Sequence, residues 1–246
     1  MVRRVLIATL SSSQQNLELP RIVDAATGSL VGLLVVAVLL PLHPMRVMRR
    51  AASPVFDALA AYLRETEAAI RRREPDRAVR AMDGLRAMGP DVERLREALS
   101  GAEEVVTVAP VRWHWRQHYE RYAHGIEHLT RAIADSQDLA RRSATMVEYG
   151  EKVPDHLPDA VGALADAVRQ LQREVRADKA HDGTRRHALR AADQAGRAVR
   201  AGLQNFAASV ATQVRVIASD LMRATGCSVD EANQQTRQVA RRGERE

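Results

Sequence analysis

Aromatic residues, cysteine and lysine are all scarce in this chain. Aromatics make up 3% of the 246 residues, and the 46% hydrophobic fraction is carried by alanine, leucine and valine. Pleated surfaces select β-branched and aromatic side chains, so this mixture excludes a sandwich or barrel and favours an all-α fold. A single cysteine, Cys227, excludes an internal disulfide and a cysteine-based zinc site. No proline follows Pro158, so the last part of the chain is free to form uninterrupted rods. Lys152 and Lys179 are the only lysines, and the 37 Lys+Arg against 31 Asp+Glu give a net charge of +6. These charges are interspersed and stacking aromatics are few, so nucleic acid is not an expected partner. Glycine-rich phosphate loops, nucleophile elbows and strand-borne dinucleotide fingerprints are also absent, and the Ser11 to Ser13 run has no partner base. No catalytic residue and no cofactor is expected, and the chain does not read as an enzyme.

One stretch breaks the soluble pattern. Ala25 to Leu42 reads AATGSLVGLLVVAVLLPL, eighteen residues without a charge. At 1.5 Å per residue this covers about 27 Å, close to the hydrocarbon thickness of a bilayer. A transmembrane helix is expected, its segment running over 21–44 from Arg21 to Pro44. Arg46, Arg49 and Arg50 follow it and favour a cytoplasmic C-terminal side, although Arg3, Arg4 and Arg21 stand on the other side. Gly28 and Gly32, with Thr27 beside them, give the small-xxx-small spacing on which another membrane helix packs closely. Asp24 lies at the membrane boundary next to Arg21, as an anchor pair or on a polar path. The apolar run Val5 to Leu10 is too short for a signal peptide core, which leaves 1–20 as an N-terminal segment open to reading as the remnant of a preceding span.

Beyond the span, 45–228 reads as a helical bundle and 229–246 as a polar, fraying tail. Ser53 and Pro54 mark a helix start, with Val55, Leu59, Leu63 and Ile70 on one side as far as about Arg73. Pro75 opens a second stretch to about Val108, with a kink or short turn expected at Gly89 and Pro90. From about Arg112 to Tyr149, Tyr119, Tyr122, Ile126, Leu129, Ile133, Ser136, Ala140, Ser143 and Val147 alternate three and four apart, the seam of packed helices. Leu157 to Val175 repeats the rhythm. One last long helix is expected over about Thr184 to Ala224, stopped by Gly226. The helices should alternate in direction, giving an antiparallel cytoplasmic bundle with long coiled-coil-like rods. Trp113 and Trp115 then fall at the membrane-proximal end, as interfacial residues or as packing at a helix turn.

His114 with His118, and His124 with His128, each lie four apart and share a helix face. The two pairs point about 80° apart on an ideal helix, and no HExxH pattern accompanies them, so no metal is expected. Glutamates such as Glu65 and Glu67 are interleaved with arginines and read as solvated faces with i,i+4 pairs.

Arg21, Asp24 and Gly28 followed by the apolar run, Pro41, and Pro44 with its arginine cluster resemble the last transmembrane helix of bacterial fusaric acid resistance and aromatic acid exporter-like proteins. The Ala-Leu-Arg-rich helices, the Glu74-Pro75-Asp76 turn, and Ala109-Pro110 ahead of Arg112 and Trp113 resemble that family's cytoplasmic helical region. The resemblance covers roughly Leu17 to Val175. It implies a component or C-terminal fragment of an inner-membrane exporter, with the lipid bilayer and other transmembrane helices, or a second copy, as partners. It also makes Arg21, Asp24 and Gly28 helix-packing or substrate-path positions. The expected preceding spans are absent from this chain, so a membrane-tethered helical scaffold or signalling adaptor stands as the alternative.

Overall fold

The computed structural model describes residues 23–32, 44–108 and 113–242 and falls into two units, Met1–His43 and Pro44–Glu246. In the first unit, 23–32 form a helix with exposed side chains. The expected span continues past Gly32 into positions outside the described residues, as does the N-terminal segment 1–20. Among the described residues no helix is long and apolar enough to cross a membrane. The all-α part of the expected fold therefore holds, without a strand among the described residues, while the transmembrane part is without support.

The second unit is a run of helices: α1 Pro44–Arg72, α2 Pro75–Arg86, α3 Gly89–Val108, α4 Trp113–Glu148, α5 His156–Ala177, α6 Asp182–Arg200, α7 Asn205–Ala224 and α8 Val229–Arg242. Helix α1 begins well before Ser53 and carries Pro54 inside it. A mid-helix proline removes one backbone hydrogen bond. Met48, Ala52, Val55 and Leu59 are all buried and carry the apolar stripe straight across it, so packing holds the helix where local preference would start a new one. The helix ends at Arg73 in the left-handed region (φ 56°), with the Glu74 N–H donating to the Ala69 carbonyl at 3.0 Å.

Cross-helix pairs fix the directions. Arg77 of α2 meets Glu65 of α1, and Gly84 lies under the Tyr62 ring. Gln137 of α4 donates to the Leu85 carbonyl, and the Tyr119 hydroxyl to that of Leu99. On the other side Gln172 of α5 donates to Asp57 and Arg71 of α1 to Asp159, while Gln213 of α7 donates to Asp135 of α4. With His128 of α4 beside Asp220 of α7 as the second pair of that interface, one number rises as the other falls in each case, so the neighbours run antiparallel. Glu65, read as a solvated i,i+4 partner, thus bridges two helices, whereas Glu67 pairs within α1 with Arg64 and Arg71. The α4 seam is buried along its length from Ile126 to Val147. Its Ser136 and Ser143 hydroxyls donate to the carbonyls four residues back, at 2.6 and 2.8 Å, so small polar side chains sit in the core with their donors satisfied.

Two expectations fail near the C-terminus. The single helix over Thr184 to Ala224 is two, α6 and α7, broken where Gly202 adopts φ 90°, a conformation that favours glycine. The tail after Asp230 is not frayed: α8 packs on α6 and α7, with Ala232 and Thr236 buried. Neither α6 nor α7 receives a hydrogen bond from its own N-cap side chain. Glutamates from elsewhere supply the acceptors instead. Glu174 of α5 takes the Gly183 and Thr184 N–H groups, and Glu151 takes those of Phe206 and Ala207.

Helices α6 and α8 meet backbone to backbone at Gly196. A Cβ there would stand 2.8 Å from the Ala240 carbonyl oxygen and 3.0 Å from its Cα. Neither atom can swing away, so Gly196→Val is expected to lift α8 and cost about 1–3 kcal/mol. Hydrogen exchange checks this: protection should fall over 229–242 first, and unchanged protection there would refute the close approach.

Candidate functional site

A cleft of about 240 Å³ opens where the first half of α1, the start of the described part of α4, the end of α5 and the end of α7 converge. Phe56, Ile126, Leu171 and Val175 wall it, and Arg49, Tyr122, His124, Lys179 and His181 add the polar groups. The folding pattern explains their presence. Arg49 follows Met48 on α1 and is half-buried, and Tyr122 is a seam residue of α4, one turn before the buried Ile126. Among the described residues, Arg49 Nε, the Tyr122 hydroxyl and His181 Nδ1 are buried without a hydrogen-bond partner. Burial pushes the Tyr122 phenol up to about 12, with the Arg49 charge a smaller opposing influence.

Glu174 also lines the cleft, but its oxygens are committed. They accept from the Gly183 N–H (3.0 Å), the Thr184 N–H (3.3 Å), the Thr184 hydroxyl (2.5 Å) and the Gln170 amide (2.8 Å). Burial alone would raise its pKa, and these donors more than reverse that, leaving it below the ordinary value.

A second polar group runs inward from the cleft between α4 and α7. His124 meets His128 edge to face at 4.6 Å. His128 is 1% exposed, and its Nδ1 lies 3.4 Å from an Asp220 oxygen without a hydrogen bond between them. The Asp220 and Asp135 carboxyls influence each other's ionisation across the interface, Arg223 stands 3.4 Å from Asp220, and the Gln213 amide donates to Asp135 at 2.8 Å. Burial raises both aspartates, and for Asp135 the Asp220 charge adds to it. Burial, then Arg223 and the neighbouring His124, push His128 down to about 4. The array can hold a proton between two carboxyls beside a neutral imidazole. No group of three or more metal-ligating side chains is gathered among the described residues.

The residues singled out by sequence lie elsewhere. Asp24, Thr27, Gly28 and Gly32 are exposed on the 23–32 helix, where the Thr27 hydroxyl donates to the Val23 carbonyl at 2.6 Å. Arg21 lies outside the described residues, as do the side chains of Arg46, Trp113, Trp115, His114 and His118. Arg50 is exposed, whereas Arg49 is half-buried with its Nε buried, and is among the residues that line the cleft. Of the paired histidines, His124 is exposed and His128 is buried. Tyr122 was read only as a seam residue, and Glu174, His181, Asp135 and Asp220 were missed. The available signal was an ionisable residue close beside an apolar seam, as Asp220 is between Ile217 and Leu221.

No family model matches the chain, and no solved structure does. It is 28% identical over 167 residues to an uncharacterized protein of Corynebacterium glutamicum. That stretch is 68% of this chain and 43% of the relative, so the chain spans less than half of that protein's length.

Proposed function

We propose that this chain is a component of a bacterial inner-membrane exporter of aromatic acids or related compounds, crossing the bilayer within 25–42 and carrying its helical bundle on the cytoplasmic side. The observation that supports it is the uncharged stretch Ala25 to Leu42 between Asp24 and the Arg46, Arg49, Arg50 cluster. The resemblance of Arg21, Asp24 and Gly28 to the exporter pattern supplies the substrate class. Gly28 and Gly32 have nothing within 4 Å of where a Cβ would stand, room that a second transmembrane helix would use. The protein is not catalytic in this reading, and the bundle serves assembly or regulation of the transporter.

Membrane fractionation tests it. The full chain is expected to stay in the pellet through an alkaline carbonate wash, and deletion of 25–42 to release it. Recovery of the full chain in the supernatant, folded and monodisperse, would end the proposal. A tethered scaffold would partition in the same way, but a paired Gly28→Leu and Gly32→Leu change would leave its function intact while abolishing export from the assembled transporter.

A further inference from the structure

The geometry points to the outer face shared by α5 and α6 as a docking surface for an acidic protein helix, held by Arg169 and Arg173 of α5 and by Arg186 and Arg190 of α6. The inference stands on the bundle alone and does not depend on the exporter reading. Each pair lies four residues apart, one turn along one side of its helix. All four side chains are exposed, and none forms an ion pair or a side-chain hydrogen bond among the described residues.

The register of the two helices brings the pairs together. Glu174 takes the Gly183 N–H, and a Cβ on Gly183 would stand 2.5 Å from the Gln170 amide nitrogen. Further along, His156 Nδ1 meets the Gln194 amide oxygen at 2.9 Å. Arg169 and Arg173 flank Gln170, and Arg186 and Arg190 follow Gly183 by one and two turns on the side turned to α5. The result is two rows of arginine, each about 6 Å long, on helices whose axes lie about 8–10 Å apart.

Solubility alone needs no such rows. Arg94, Arg131 and Arg141 on other helices each pair with an acid three or four residues away, an arrangement that supports a helix. On α5 and α6 the neighbour one turn away is a second arginine, and like charges at that spacing are destabilising. The helix dipole accounts for Arg173 near the end of α5 but not for Arg186 near the start of α6. Nearby acids do not offset the rows: Asp166 goes to Arg64, Asp193 goes to Arg197, and Asp182 forms no ion pair with Arg186.

An anionic partner relieves that repulsion, and a guanidinium fork grips a carboxylate at two points. Glutamates four apart on a partner helix repeat the one-turn spacing of each row. Neither α5 nor α6 carries an aromatic residue, so nucleic-acid bases have nothing to stack on. Val199, in the last turn of α6, is the one exposed large apolar side chain of the two helices, so the face offers a bilayer no apolar foothold beside the rows.

Fluorescence anisotropy of a labelled helical peptide of glutamate and alanine, with glutamates four apart, tests this on the full chain in nonionic detergent, against the same peptide with glutamine for glutamate. The glutamate peptide is expected to bind about tenfold or more tighter, and to weaken about tenfold between about 0.02 M and 0.15 M salt. Arg169→Gln with Arg173→Gln, and Arg186→Gln with Arg190→Gln, should each weaken it severalfold, with the melting temperature equal or higher because a like-charge pair is gone. Arg94→Gln with Arg96→Gln removes the same charge from α3 and should leave binding unchanged. Equal binding of the two peptides, an equal loss in the α3 variant, or no loss in either row variant would each overturn the assignment. Tighter binding of phosphatidylglycerol vesicles or of polyuridylate through the four arginines would do so too, since the partner would then be a phosphate surface and not a protein.

Discussion

Glu174→Ala is expected to lower the unfolding free energy at neutral pH by about 3–5 kcal/mol, because each buried donor left without its acceptor costs about 1–3 kcal/mol. The carboxylate serves the Gly183 N–H, the Thr184 N–H and the Thr184 hydroxyl together, and Thr184 is fully buried. No other cap stands in reserve, since His181 at the N-cap makes no side-chain bond. The sign of the acid limb follows from the lowered pKa. In the unfolded chain the group titrates near its ordinary 4.5 and in the folded protein below it. Its contribution is therefore complete above about 4.5 and is lost as pH falls through the folded value. Glu174→Gln keeps one acceptor oxygen, so it should cost about half as much and flatten that limb. Urea melts at neutral pH and at pH 4 measure both. A loss below about 1 kcal/mol in the alanine variant would mean that α6 is held by its alanine face alone.

That alanine face shows what the sequence could and could not declare. On α4 the three-four rhythm is carried by Ile126, Leu129, Ile133 and Val147, residues large enough to be read singly, and all are buried as expected. The α6–α7 turn left almost no mark. Val199 and Leu203 continue the apolar rhythm into it, yet Val199 is 46% exposed, and only Gly202 breaks the pattern. Helix α8 was obscured for the opposite reason. At its contact with α6, Ala240 lies against Gly196, and the close approach of two backbones replaces large side chains.

The cleft was illegible because it belongs to no single segment. Arg49 reads as a headgroup arginine from its neighbours Arg46 and Arg50, and only the arrival of α4 and α5 makes it a buried donor. Asp220 is different: a carboxylate between Ile217 and Leu221 was visible as an exception within an apolar face. Its meaning needed α4, because the partners that make it tolerable, Asp135 and His128, come from the facing helix.

The array also yields a pH dependence in which two effects oppose each other. His128 titrates near 6.5 when unfolded and at about 4 in the fold. A histidine with a depressed folded pKa contributes stability that is complete above 6.5 and lost as pH falls towards 4, and the gap corresponds to about 3 kcal/mol. Asp135 and Asp220 act in reverse. Their folded values are raised, so each makes the fold more stable as pH drops through its folded value, until the unfolded carboxyl is protonated as well. The Asp220 carboxylate 3.4 Å away would favour a charged His128, but it is held by Arg223 and disfavoured as an ion by its own burial, so desolvation of the ring decides. Between pH 6.5 and 4 the wild type should therefore lose less than His128 alone would dictate. His128→Gln removes this loss and leaves the gain, so over that window its stability should fall less on acidification than that of the wild type. Asp135→Asn removes a gain and should steepen the fall. If His128→Gln and the wild type trace parallel curves from pH 6.5 to 4, the imidazole is not the group that titrates there, and the neutral histidine beside a shared carboxyl proton is the wrong description of the α4–α7 interface.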